Sequence, residues 1–306
     1  MSMLHEVFYW LFNMSITTVL AGLLVLFIRR IKRIPRRFIV FLWAVPFLRM
    51  TIPIGLNSPC SLMTLLSKAA VKTIVVYQET EGTALSVMNF IRVADTYFPV
   101  TYQESVLEQV FTVSGMIWLA IAVLLLLLLA AAYCTAMHDI KTAVHLEDNI
   151  FLSAKVASPA VYGMIKPRIV LPVSYKGQEN ALVILHEKTH IRTLDNLWRM
   201  LAFIFTCVHW FNPFCWLFLK CFLGDLELAC DERVLIKAGQ ESAGEYALSL
   251  LQCRQHAPKL TSAYGGAKIK TRIENILSFR KLSLFSAAGF TVLIGVISYV
   301  LLTNAG

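Results

Sequence analysis

The chain has 306 residues, 57% hydrophobic and 15% charged, with 28 Lys and Arg against 19 Asp and Glu for a net charge of +9. Soluble domains run nearer half apolar and a quarter charged, so both values lean towards the membrane. Disorder is excluded by that apolar content, and 14 Gly and 10 Pro exclude a collagen-like or low-complexity chain.

A bilayer core about 30 Å thick takes roughly 20 apolar residues in a helix. Four stretches meet or approach that length: residues 7–28, 38–56, 109–133 and 282–302, the last with a short tail to 306. Arg29, Arg30, Lys32, Arg33, Arg36 and Arg37 follow the first stretch with no acidic residue among them, so it reads as an anchor and not as a cleaved leader. Lys and Arg in short loops stay on the cytoplasmic side. The expected arrangement is a multi-pass membrane protein with its N-terminus outside. Residues 1–56 then form a hairpin turned at Pro35, 57–108 an outer loop and 134–281 a cytoplasmic domain. The C-terminal tail lies outside. The net charge reads as contact with the lipid bilayer, not as nucleic-acid binding. Six of the seven Cys (134, 207, 215, 221, 230, 253) fall inside or in the membrane and Cys60 outside, so no disulfide framework is expected.

In the inner domain, residues 134–150 are polar and mixed, and read as a linker. Residues 150–173 carry β-branched and aromatic runs broken by Ser158-Pro159, Gly163 and Lys166-Pro167, the pattern of a hairpin or short meander with edge strands. Helical spacing begins near Asn180. The apolar stretch 200–223 is broken at Asn212-Pro213 and reads as two helices partly sunk in the membrane. Residues 224–239 read as a helix ending at Gly239, 245–254 as a short helix, 256–268 as a loop, and 270–280 as an amphipathic helix leading into the last span.

His186-Glu187-Lys188-Thr189-His190 is an HExxH motif. Two His four residues apart lie on one helix face and can reach one Zn²⁺, while the Glu between them can act as general base on a water. Zn²⁺ takes a third protein ligand and leaves one position open for water. Glu227 on the next polar helix is the candidate ligand, with Asp231 one turn later to hold a ligand His. Asp195 either steadies a ligand His or caps a turn. His209, before Trp210-Phe211-Asn212-Pro213, is either a satisfied His near the membrane interface or a donor to the transition state. Cys230 reads as a small buried residue.

Four segments together resemble the BlaR/MecR family of membrane zinc metallopeptidases: SPAVYGMIKPRIVLP at 158–172, the HEKTH helix with Arg192 and Asp195, HWFNPFCW at 209–216 and ELACDERVL at 227–235. The resemblance implies a mainly α protein of the bacterial cytoplasmic membrane, with four transmembrane helices and a cytoplasmic α+β gluzincin-type zinc protease domain between the third and fourth. It implies His186, His190 and Glu227 as metal ligands, Glu187 as catalytic base and Asp231 as the supporting Asp. The best-known members carry an extracellular penicillin-binding sensor domain after the fourth span; here no SxxK motif follows that span before Gly306, as in a truncated chain or a sensorless branch. The resemblance therefore supports the chemistry more firmly than the signal. It also implies a repressor-like cytoplasmic protein as substrate, and self-cleavage between the zinc domain and the last span, where Ser278-Phe279 is the candidate bond. A homodimer is compatible with cleavage in trans. The competing reading is a non-catalytic signalling scaffold with a structural zinc; an intact Glu187 argues against it. A transporter is disfavoured by a sparse set of intramembrane charges, Arg49 the clearest, and no inverted repeat.

Overall fold

Apolar runs set the long helices, and prolines set where they stop. The structure, a computed structural model, describes residues 2–31, 33–51, 57–58, 105–175, 181–255, 268–280, 283–302 and 304–305. In chain order these form α1 (Ser2–Arg29), α2 (Arg36–Leu42), α3 (Ala44–Thr51), β1 (Asn57–Ser58), α4 (Ser105–Asp139), β2 (Val144–Glu147), β3 (Ile150–Ser153), β4 (Ala160–Tyr162) and β5 (Arg168–Pro172). Then come α5 (Ala181–Arg192), α6 (Asp195–Val208), α7 (Pro213–Ala238), α8 (Ala243–Gln255), α9 (Ile269–Leu277), α10 (Leu284–Leu302) and β6 (Asn304–Ala305).

Three helices are long and apolar enough to cross a membrane, over Glu6–Arg29, Val110–Thr142 and Phe285–Leu302. On α4 and α10, Leu124, Leu127, Leu128, Phe285 and Val292 face outward, as side chains against lipid do. The second expected span is not one straight helix. α2 and α3 have seven and eight residues and meet at Trp43. Pro46 explains the break: its ring clashes with the carbonyl four residues back, that of Leu42, where α2 ends. Residues 52–56 of that expected span, and most of the outer loop expected over 57–108, lie outside the described residues. Asn57 and Ser58 pair in parallel with Asn304 and Ala305, so the end of the hairpin meets the C-terminal end of α10.

The expected linker at 134–150 is instead the end of α4 followed by β2. The four-stranded sheet has the order β2-β3-β5-β4. β2/β3 and β5/β4 are antiparallel and β3/β5 parallel. The expected hairpin or short meander is a hairpin, β4–β5, with β3 laid in parallel beside β5 so that β4 forms one edge. Gly163 has φ +90, and a Cβ there would stand 2.8 Å from the Lys166 carbonyl oxygen, so the turn requires glycine.

α6 and α7 meet at the expected break, where the Asn212 side chain caps α7 by accepting from Phe214 N at 2.9 Å. α7 then runs unbroken through Gly224 for 26 residues, about 39 Å. The expected boundary at 224 is absent because Gly224 is buried among Phe222, Leu223 and Leu226, and packing holds the helix through it. α7 is the spine of the fold. Its first half packs with Val25, Ile28, Ile39, Trp43 and Phe47 of the hairpin in one apolar cluster. Gly22 of α1 lies against the Phe218 ring with no room for a Cβ. Asp225, fully buried, binds Arg29 Nε at 2.7 Å, Arg36 Nη1 at 3.5 Å and Trp43 Nε1 at 2.9 Å. The Glu232 carboxylate accepts the backbone N–H groups of Arg36 and Arg37. Arg29 and Arg36 of the basic loop are therefore structural partners of α7.

Candidate metal centre

α5 has three faces. Ile184 and Ile191 pack against the sheet, while Leu182 and Leu185 pack against Val234, Leu235 and Tyr246. The helical period leaves His186, Glu187 and His190 together, 4%, 7% and 5% exposed. α7 crosses this group and brings Glu227, Cys230 and Asp231.

The His186 and His190 Nε2 atoms are 3.1 Å apart. Glu227 Oε2 lies 3.7 Å from the first and Oε1 3.7 Å from the second. His190 Nδ1 is 2.6 Å from Asp195 Oδ2, so that nitrogen carries the proton it donates and Nε2 is a lone pair. Arg272 Nη2 lies 3.3 Å from His186 Nε2; a guanidinium only donates, so this Nε2 is a lone pair too. Two lone pairs and a carboxylate converging in a buried space fit a cation. Tetrahedral bonds of about 2.0–2.1 Å put donor atoms about 3.3 Å apart, close to the observed spacing. His186, His190 and Cys230 also offer ligand atoms within 4.8 Å of one another. Cys230 Sγ, however, lies 3.3 Å from His186 Nδ1, on the far side of the ring. Burial and the neighbouring Asp231 and Glu227 push its thiol pKa well up, so it suits packing better than ligation.

The sequence places Asp195 five residues after His190, and Leu194 brings it back. Leu194 adopts φ 55, a left-handed kink between α5 and α6. Asp195 Oδ1 accepts from Thr193 Oγ1 at 2.8 Å, leaving Oδ2 to His190. Asp231 is 3.5 Å from His186 Nδ1. Closer to that nitrogen is the Tyr246 hydroxyl, at 2.8 Å, which donates to Asp231 Oδ1 at 2.6 Å. Arg272 of α9 grips Asp231 from Nε and Nη2 at 2.9 and 2.7 Å and reaches Glu227 Oε2 at 3.3 Å. Arg199 of α6 bonds Glu227 Oε1.

Burial raises the Glu187 carboxyl pKa; His186 opposes this and Glu227 adds to it. Burial also pushes Glu227 up, but His190, Arg199, His186 and Arg272 outweigh it and hold its carboxyl well below the ordinary range. One carboxylate is thus kept charged while its neighbour is made more basic, a division of roles suited to a ligand beside a general base.

The other expected residues lie elsewhere. His209 follows the C-terminal end of α6, about 20 Å along the helix from Asp195. Its Nε2 is 3.2 Å from the Met50 carbonyl oxygen. It ties α6 to α3, so of its two expected readings the geometry fits the interface His and not the transition-state donor. Ser278 ends α9, its hydroxyl donating to Glu274 O at 2.6 Å, and Phe279 packs against the cluster around Tyr246. Sequence reasoning missed Tyr246, Arg272, Arg199 and Asn196, whose Nδ2 donates to the Val161 and Gly163 carbonyls at 2.9 and 3.3 Å on the β4 edge. Only Arg272 carried a signal, as a charge amid the apolar period of 270–280.

The sequence matches the BlaR1 peptidase M56 family over residues 9–276. A methicillin resistance mecR1 protein of Staphylococcus aureus is 29% identical over 139 residues, 42% of this chain and 24% of that protein. A regulatory protein BlaR1 of Bacillus licheniformis is 28% identical over 176 residues, 52% of this chain and 29% of that protein. The matched regions span less than a third of these relatives' own length. Because the family match runs from Tyr9 to Ile276 and takes in every residue of the buried His and carboxylate cluster, the chain belongs to the BlaR1 peptidase M56 family of metallopeptidases.

Proposed function

We propose that this chain is a zinc endopeptidase of the cytoplasmic membrane that hydrolyses a cytoplasmic protein, a transcriptional repressor by similarity to its relatives. The carrying observation is the facing pair of Nε2 lone pairs with the Glu227 carboxylate across from them and Glu187 in the same helix turn. His186, His190 and Glu227 hold the zinc. When bound, zinc polarises the scissile carbonyl and acidifies water. Glu187, its basicity raised by burial, takes a proton from the attacking water and passes it to the leaving amine. Asp195 keeps the His190 ring in its ligand orientation.

The substrate backbone lies along β4, the sheet edge packed nearest α5. Tyr162 on that strand is close enough to Glu187 for the carboxylate to help raise its pKa, after burial and Asp139. A cavity of about 220 Å³ opens beside the edge, lined by Leu129, Tyr133, Met137, Met164, Met200 and Phe203 among others; it receives an apolar substrate side chain. The orientation is the expected one, with 134–281 inside.

Cleavage at Ser278-Phe279 requires α9 to leave its place, because both residues are tied into the helix end and its apolar cluster. The test uses the full chain in detergent beside Glu187→Gln and His190→Ala, with a repressor from the same genome. Wild type and Glu187→Gln each bind about one zinc, only wild type cuts the repressor, and His190→Ala binds none. Intact masses of the same preparations report self-cleavage in wild type alone. Zinc-loaded wild type that cuts neither repressor nor itself would overturn the reading.

A further inference from the structure

Metal-ligand His rings are held by a partner on the second nitrogen. His190 has a carboxylate there. His186 does not, because Asp231 stands 3.5 Å from its Nδ1 and the Tyr246 hydroxyl comes between them. The other group near that nitrogen, Cys230 Sγ at 3.3 Å, is a weak acceptor.

We infer that Tyr246 is a positioning residue for the metal ligand His186. It accepts the Nδ1 proton while donating its own to Asp231, whose carboxylate is fixed by Arg272. The inference rests on the metal reading above and deepens it.

The geometry has three supports. The Tyr246 hydroxyl donates to Asp231 at 2.6 Å, so its oxygen is left to accept at 2.8 Å from His186. Arg272 uses both Nε and Nη2 on Asp231, which prevents that carboxylate from turning away. The Nη2 of the same arginine faces His186 Nε2 at 3.3 Å, a contact that requires the proton to sit on Nδ1. The Tyr246 ring is fully buried among Val234, Leu235, Ala247, Leu250 and Ile276. Its hydroxyl therefore has a fixed position, set by α8. The ligand helix α5 is thereby tied to α8 through Tyr246 and to α9 through Arg272, although both helices follow it by more than 50 residues.

Tyr246→Phe removes only the hydroxyl and keeps the ring in its cluster. We expect its zinc affinity, measured by chelator competition, to fall about 10- to 100-fold. Its Co²⁺ complex should have a shifted visible absorption spectrum. The effect should be less than additive with that of Asp231→Asn, because the hydrogen-bonded link from Asp231 to His186 Nδ1 runs through the hydroxyl. Unchanged affinity and spectrum in Tyr246→Phe, or full additivity with Asp231→Asn, would overturn the inference. A measurement on unaltered protein serves if the variant does not fold. In metal-free wild type, ¹⁵N shifts should give His186 as the Nδ1–H tautomer, assigned by its loss in His186→Gln. An Nε2–H tautomer would overturn the inference. A chain that holds Nδ1–H yet binds no zinc would end the zinc reading and leave the tyrosine link standing.

Discussion

His186 and His190 have unlike supports, yet both present a bare Nε2 to the same point. The carboxylate they face determines how the site responds to acid. Glu227 has its folded pKa depressed, so the unfolded chain takes up the proton first. The stability it contributes is full above the ordinary glutamate value of 4.5 and is lost as pH falls through its folded value. Glu187, whose pKa is raised, acts in the opposite sense: its charged form is the disfavoured one, and its cost appears as pH rises. The metal-free protein should therefore lose melting temperature below about pH 4.5. Glu227→Gln should flatten that acid limb, since it removes the carboxylate that must be protonated. Thermal melts of both proteins from neutral pH downward check this; parallel acid limbs would contradict it.

At the level of elements, α7 joins the helices α1 to α3 to the site. Asp225 grips the hairpin, Glu227 faces the His pair two residues on, and Asp231 and Glu232 follow within two turns. A shift of α7 along its axis would move all four contacts together. Asp225→Ala leaves Arg29 and Arg36 without their buried partner. The expected cost is about 3 kcal/mol, at the low end for breaking a buried pair, because Arg29 remains 30% exposed and can reach water. Arg30→Ala, an exposed residue of the same loop, should leave stability unchanged. Denaturant unfolding of both variants in one detergent measures the difference, and equal midpoints would remove the structural role of Asp225.

For the whole molecule, the expected orientation predicts which thiols an impermeant reagent can reach. Cys134 is exposed near the C-terminal end of α4, the end expected inside, and Cys60 lies in the expected outer loop. In intact cells a membrane-impermeant maleimide should label Cys60 and spare Cys134. In inverted vesicles the pattern should reverse. Cys60→Ser and Cys134→Ser identify each band, and labelling of Cys134 from outside would invert the topology.

Much of this protein was legible from local pattern. Apolar length marked three spans, and the spacing of His186 and His190 put both on one helix face. Glu227 and Asp231 stood out as acids on the next polar helix. The break at Trp43 was also within reach, since Pro46 denies α2 its next turn; the apolar run through 38–56 masked it. Strand β2 was hidden because its four residues, Val144–Glu147, are all exposed and too short a run for their apolar–polar alternation to stand out. Contacts between distant segments could not be read. Tyr246 lies 60 residues from His186 and Arg272 86, and no spacing rule connects them. For His209 the local motif left two readings open, an interface His or a transition-state donor, and the length of α6, which sets it far from Asp195, favours the first. The sequence by itself thus determined the long apolar helices, the family and the residues of the proposed site, because these depend on residue type and short-range period. Only the tertiary structure decided what holds each ligand ring, because hydrogen-bond partners are set by how helices pack and not by how far apart they lie along the chain.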